Sequence, residues 1–142
     1  MMTKGLIVAA MGLVGSAGLA GFMGSGALHA QDWQEIEKHY TPAYTKCLDG
    51  PAAASGDQSA LAQCSLDEVT RQEARIDAAL AKAPADKVEA LRAGQSKWKE
   101  DRGTLCEEEA KSLVGEATKR MARADCSLDE TIRRLITIEA VK

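Results

Sequence analysis

Aromatic side chains are scarce in this 142-residue chain: two Trp, two Tyr and one Phe. Beyond residue 30 only Trp33, Tyr40, Tyr44 and Trp98 are left to fill a core. A domain with so few large side chains buries little apolar surface and gains from covalent support. Histidine is nearly missing as well, and past residue 30 His39 stands alone. There is no Cys-x-x-Cys, so the common zinc sites lack ligands, and haem attachment through Cys-x-x-Cys-His is excluded. No Ser/His/Asp or Cys/His arrangement is visible, and no glycine-rich phosphate loop lies outside the first thirty residues. The chain therefore reads as a non-enzyme with no cofactor and no metal. An excess of basic charge is missing too. Eighteen Lys and Arg face 21 Asp and Glu, for a net charge of −3, which argues against nucleic acid as a partner and favours a basic protein. Strand-like alternation of useful length is absent, which leaves an all-α fold.

Charge is absent from one long segment. "MMTKGLIVAAMGLVGSAGLAGFMGSGALHA" carries Lys4 and then an uncharged run from Gly5 to Leu28. A basic start, an apolar middle and small residues at the end make a secretory signal peptide, residues 1–30, cut after Ala30 or, as a fallback, after Ala27. The competing reading is an uncleaved anchor, since the run is long enough to span a bilayer. Five glycines from Gly12 to Gly24 weaken it as a helix. No cysteine lies near the cut, which excludes a bacterial lipoprotein anchor. The remainder, residues 31–142, is one domain's worth of chain. Lys4 is the one charged residue lost with the leader, so the net charge moves from −3 to −4. The expected location is periplasmic or secreted, with membrane contact only if the leader stays attached.

What is present in even number is cysteine: Cys47, Cys64, Cys106 and Cys126, all beyond the leader. In an exported chain the default reading is two disulfides. Pairing Cys47 with Cys64 and Cys106 with Cys126 would staple two consecutive helical corners, each worth on the order of 3 kcal/mol in the chain-entropy view. The two other connectivities stay open.

Residues 31–48 read as a helix interrupted near Pro42, with Asp32 and Glu35 at capping-box spacing. "DGPAAASGDQSA", residues 49–60, reads as a loop, with some helical turn near Leu61. A helix follows over about 66–82, with Leu66, Val69, Ile76, Leu80 and Ala83 on one stripe. Pro84 breaks it and suits the first turn of the next helix, about 85–109. Two such helices are expected to fold back antiparallel and bury both stripes. Residues 111–125 continue as helix or break at Gly115, and a last helix covers about 128–141 with Leu128, Ile132, Leu135 and Ile136 inward. The expectation is a small disulfide-stapled hairpin or bundle of about four helices.

The pentapeptide Cys-Ser-Leu-Asp-Glu occurs twice, at 64–68 and 126–130. Ser-x-x-Glu is the capping-box pattern, so each copy is expected to open a helix, with Ser65 and Ser127 as caps and a cysteine just before each. Beyond the five letters the match fades, so local capping explains it better than duplication.

The stripe of the 85–109 helix is Val88, Leu91, Gln95, Trp98, Arg102 and Leu105. Long polar groups within an apolar stripe need partners. Gln95, Trp98 and Arg102 read either as an internal lattice or as a recognition surface, since Trp and Arg anchor interfaces. "LRAGQSKWKEDRGTLC" resembles the signature helix of the lysozyme inhibitor LprI-like N-terminal domain family: Gln95, Trp98, Arg102 and Cys106 fall on its pattern. "CSLDETIRRL" is similar to the family's closing element, through Cys126, Thr131, Arg134 and Leu135, and "CSLDEVTRQEARIDAAL" to its second helix. Asp101 stands where the family often has an aromatic. The resemblance covers about 47–139 and implies a small exported helical domain, in some members associated with lysozyme inhibition. The protein partner it implies is a lysozyme, a basic enzyme that an acidic chain would attract. Glu107, Glu108 and Glu109 form the densest acidic cluster and are the candidate contact, against the plainer reading of a solvated face. The alternative is a structural or accessory envelope protein with another protein partner. Neither oligomeric state nor contact surface follows from the sequence.

Overall fold

The computed structural model describes residues 33–141. The leader, both cleavage positions and the Asp32 cap lie outside the described residues. Among the described residues every regular element is helical. A helical stretch at 33–37 is followed by α1 (Pro42–Leu48), α2 (Pro51–Ser55), α3 (Gln58–Lys82), α4 (Ala85–Lys111) and α5 (Glu116–Glu139). The all-α expectation holds, with five helices and the leading stretch in place of about four.

Two boundaries differ from the sequence reading for one reason. The pentapeptides do not open helices. Asp57 caps α3 instead, its Oδ1 accepting the N–H groups of Ser59 (3.0 Å) and Ala60 (3.1 Å). Most of the expected 49–60 loop is thereby helical, as α2 and the first turn of α3. α5 starts at Glu116 behind Gly115, whose φ of 92° is a conformation that only glycine adopts cheaply. The residues shortly upstream of each pentapeptide, Leu61-Ala62-Gln63 and Ala122-Arg123-Ala124, are good helix formers, so nothing stops the helix there. Ser65 and Ser127 therefore lie in helix interiors. Elsewhere the local rules hold. Thr41 caps α1 with Pro42 in its first turn, and Ala83, before Pro84, is extended and ends α3.

The cysteine pairing is Cys47–Cys64 and Cys106–Cys126, spanning 17 and 20 positions. The first joins α1 to α3 and the second joins α4 to α5.

α3 and α5 form the most extensive helix pair. They run parallel, since Thr118 Oγ1 donates to Gln58 Oε1, Ser65 Oγ to Asp125 Oδ1, and Arg75 meets Glu139 further along. α4 runs back between their ends and packs chiefly on α5, not on α3. The fold-back after Pro84 is as expected, but the α3 and α4 stripes are not buried chiefly on each other. Only Cys106 and Ala110 of α4 are fully buried, and Leu105 is exposed. The stripe of α4 is too polar to be a core face.

The core has two halves. In one, Ile36 and Tyr44 pack on Cys64, Val69, Leu128 and Ile132, with Tyr40 alongside. In the other, Ile76, Leu80, Leu135 and Ile138 are covered by Leu91 and Trp98 of α4. The 33–48 segment thus roofs one end of the α3/α5 pair and α4 the other.

Candidate functional site

Polar side chains bind the segment at 39–41 to α3. Glu68 is fully buried. It accepts from Thr41 N–H (2.9 Å), Thr41 Oγ1 (2.6 Å), Arg71 Nε (2.7 Å) and Gln72 Nε2 (2.7 Å). Burial pushes its carboxyl upward, but these donors outweigh burial and hold it below the ordinary value. Glu68 does accept the backbone N–H of a cap residue, as a capping box requires. The cap is Thr41, on another helix. Gln72 and Arg75 donate to the carbonyl of His39, at 2.7 and 3.0 Å.

The sequence-selected residues of α4 converge on α5. Arg134 Nε donates to Gln95 Oε1 at 2.6 Å. Arg102 donates to Glu73 Oε1 at 2.9 Å and to Thr131 Oγ1 at 2.7 Å. Thr131 Oγ1 in turn donates to the carbonyl of Ser127 at 2.6 Å. The Trp98 ring centroid lies 4.8 Å from the Arg102 guanidinium and 5.8 Å from that of Arg134, both within cation–π reach. Lys99 adds a second cation to Glu73 at 3.1 Å. Burial raises the Glu73 carboxyl, and Lys99 and Arg102 outweigh it and hold it low. Gln95, Trp98, Arg102, Thr131 and Arg134 are thus one lattice that fastens α4 to α5 and, through Glu73, to α3.

The acidic triad stands apart from that lattice. Glu107 accepts twice from Arg123, at 2.6 and 3.1 Å, and Glu108 pairs with Lys111. Glu109 is exposed, and its charge reaches Asp129 and Glu130. Two of the three candidate contacts are therefore already neutralised within the chain.

Sequence reasoning missed a further feature. A cleft of ≈ 240 Å³ opens between the 33–48 segment, α3 and α5, lined by Trp33, Tyr40, Tyr44, Leu128, Asp125 and Asp129 among others. Tyr44 OH lies 3.3 Å from Ser65 Oγ, and Ser65 donates to Asp125 at 2.7 Å. With the serine proton used, the tyrosine is the donor in that pair. Burial raises the Asp125 carboxyl against the pull of Ser65. Asp129 is pushed up to about 7 by burial, then by the charges of Asp125, Glu130 and Glu109. No salt bridge reaches Asp125 or Asp129 among the described residues. The four-residue spacing of these two acids, with Leu128 and Ile132 beside them, was the signal available in the sequence. No group of metal-ligating side chains occurs among the described residues.

The family model "Lysozyme inhibitor LprI" matches residues 49–137. The chain belongs to the lysozyme inhibitor LprI family. The matched span holds α2, α3, α4 and all but the last two residues of α5, with the Gln95/Trp98/Arg102 lattice, the acidic triad, Asp125 and Asp129. It leaves out Cys47 and the roof over the cleft. No curated protein and no solved structure matches the chain. No helix among the described residues is long and apolar enough to cross a membrane.

Proposed function

We propose that this LprI-family chain is an exported cell-envelope protein that inhibits a lysozyme by binding it directly, and that it acts as a binder and not as a catalyst. The family match over residues 49–137 carries the reading. Two disulfides support an oxidising compartment, periplasmic or secreted. Residues 1–30 act as the cleaved leader, leaving one domain at 31–142. The acidic balance of that domain supports a basic enzyme as partner. The Gln95/Trp98/Arg102 lattice serves as scaffold, because its polar groups are spent between helices.

The test is cell-wall lysis by hen-type, goose-type and invertebrate-type lysozymes, titrated with the disulfide-bonded protein and again after reduction. The reading expects saturable inhibition of at least one type, lost on reduction. Full lysis in every titration would remove the lysozyme and leave the accessory envelope protein as the function.

A further inference from the structure

Glu68, Glu73, Glu107 and Glu108 each meet an arginine or lysine. Among the described residues no arginine or lysine pairs with Asp125 or Asp129, although they line a cleft and are partly buried. Beside them stand Trp33, 47% exposed, and the rings of Tyr40 and Tyr44, which meet edge to face with centroids 4.9 Å apart. The charged and titratable groups around Asp129 are Asp125 and Glu130 on α5, Glu109 on α4 and the two tyrosines across the cleft; Arg133 pairs with Glu130 instead. An aromatic wall with unpaired carboxylates at its edge is complementary to a cation on an apolar stem. Carboxylates supply charge-assisted hydrogen bonds, and ring faces attract a guanidinium or ammonium.

We infer that the cleft walled by Trp33, Tyr40 and Tyr44 and edged by Asp125 and Asp129 receives an arginine or lysine side chain of a basic protein partner. The inference rests on the inhibitor reading only for naming that partner a lysozyme. None of Glu107–Glu109 lines the cleft, so the inference moves the contact surface to the face where the 33–48 segment meets α5.

The test uses the full disulfide-bonded chain labelled with ¹⁵N at pH 8 and low salt, titrated with nona-arginine and then with whichever lysozyme it inhibits. The Trp33 indole N–H signal should move and saturate while that of Trp98 stays. Asp129→Asn should weaken both interactions roughly tenfold, the loss expected for one charge-assisted hydrogen bond. Asp125→Asn is the second variant, and Glu107→Gln, which keeps the cleft intact, should change neither by more than about twofold. Amide spectra of each variant check the fold. A Trp33 signal indifferent to nona-arginine overturns the inference, as does lysozyme affinity unmoved by Asp129→Asn. A dimer of the wild-type chain that Asp129→Asn abolishes in sedimentation would assign the cleft to a second copy, and so also overturns it. Nona-arginine binding that needs Asp129, with no lysozyme bound, would uphold the cleft and sink the inhibitor reading.

Discussion

The two copies of Cys-Ser-Leu-Asp-Glu are chemically identical and physically opposite. In the first, Ser65 and Glu68 are buried and Leu66 is exposed; in the second, Leu128 is buried while Ser127 and Glu130 are only partly covered. The same five residues are laid on their helices with different faces inward. The first copy turns its acid toward Thr41, Arg71 and Gln72, which hold it ionised. The second turns Asp129 toward other acids, which resist its ionisation. Identity decides little here. The side of the helix that meets the core decides whether a carboxylate is a fastening or an opening.

The largest break of this contrast is Glu68→Ala. It strands the Thr41 N–H and removes the link from Thr41 to α3, leaving the segment held there by the bonds of Gln72 and Arg75 to the His39 carbonyl. A loss of about 3–4 kcal/mol is expected, the range for removing a buried, multiply bonded acid. Urea unfolding of the two proteins side by side measures it, and a loss under about 1 kcal/mol would show that Glu68 does not hold the roof. The matching change in the second copy, Glu130→Ala, should cost far less, because Glu130 is partly exposed and its salt bridge is to Arg133, three residues on.

Next in size are the disulfides. Replacing Cys47 and Cys64 by alanine should cost roughly 3 kcal/mol, and replacing Cys106 and Cys126 about as much, since the closed loops are similar. The two pairs differ in what they release. Losing the first frees the roof of the cleft, and hydrogen exchange in α1 should rise. Losing the second loosens α4 from α5 and should leave exchange in α1 unchanged. Equal exchange in α1 for both variants would mean that the two ends of the bundle open as one unit.

Much of this is legible in the sequence. The lack of alternation gave the fold class, Pro84 gave the break between α3 and α4, and cysteine spacing offered the pairing that forms. The inward residues Leu128, Ile132 and Leu135 followed from period alone. The starts of α3 and α5 are not legible, because Ser-x-x-Glu is equally at home inside a helix and only its neighbours decide. The mutual burial expected of the α3 and α4 stripes does not form, because the stripe of α4 holds Gln95 and Arg102 where a core face needs apolar groups. Glu68 and Gln72 were invisible as core residues, since their partners Thr41 and His39 are remote in sequence. The cleft was missed for the same reason: Trp33, Tyr40 and Tyr44 meet Asp125 and Asp129 only through the fold.

Acidity sharpens the comparison, because the two copies respond to it with opposite sign. Glu68 has its folded value lowered, so its contribution is present above the unfolded value near 4.5 and is lost as pH falls. Asp129 has its folded value raised from 3.8 to about 7. Its native state is therefore favoured at low pH, and that advantage is lost as pH rises through the window between those values. Asp129→Asn should stabilise the protein by roughly 1–2 kcal/mol at pH 8, below the full linkage value because the side chain is partly exposed, and by almost nothing at pH 4. Thermal unfolding at the two pH values checks it. An unchanged melting point at pH 8 would mean that water already screens Asp129. A variant that is more stable yet binds its partner less well is the signature of a residue kept for contact at the expense of folding.

The smallest expected effects lie in the acidic triad, and they separate the two candidate surfaces. Glu107→Gln removes one partner of an exposed pair and should change stability by no more than about 0.5 kcal/mol. Its effect on partner binding should be equally slight, since Arg123 already occupies that carboxylate. Glu109→Gln differs in one respect. Removing its charge relieves Asp129 and Glu130, so the Asp129 carboxyl should titrate at lower pH, which carboxyl ¹³C shifts followed against pH would record. A downward move in Glu109→Gln with none in Glu107→Gln would show that the triad acts on the cleft through one member. Equal moves would mean that the field at Asp129 comes from the net charge of the whole face, and the contrast between the two pentapeptides would then be one of environment at long range, not of near neighbours.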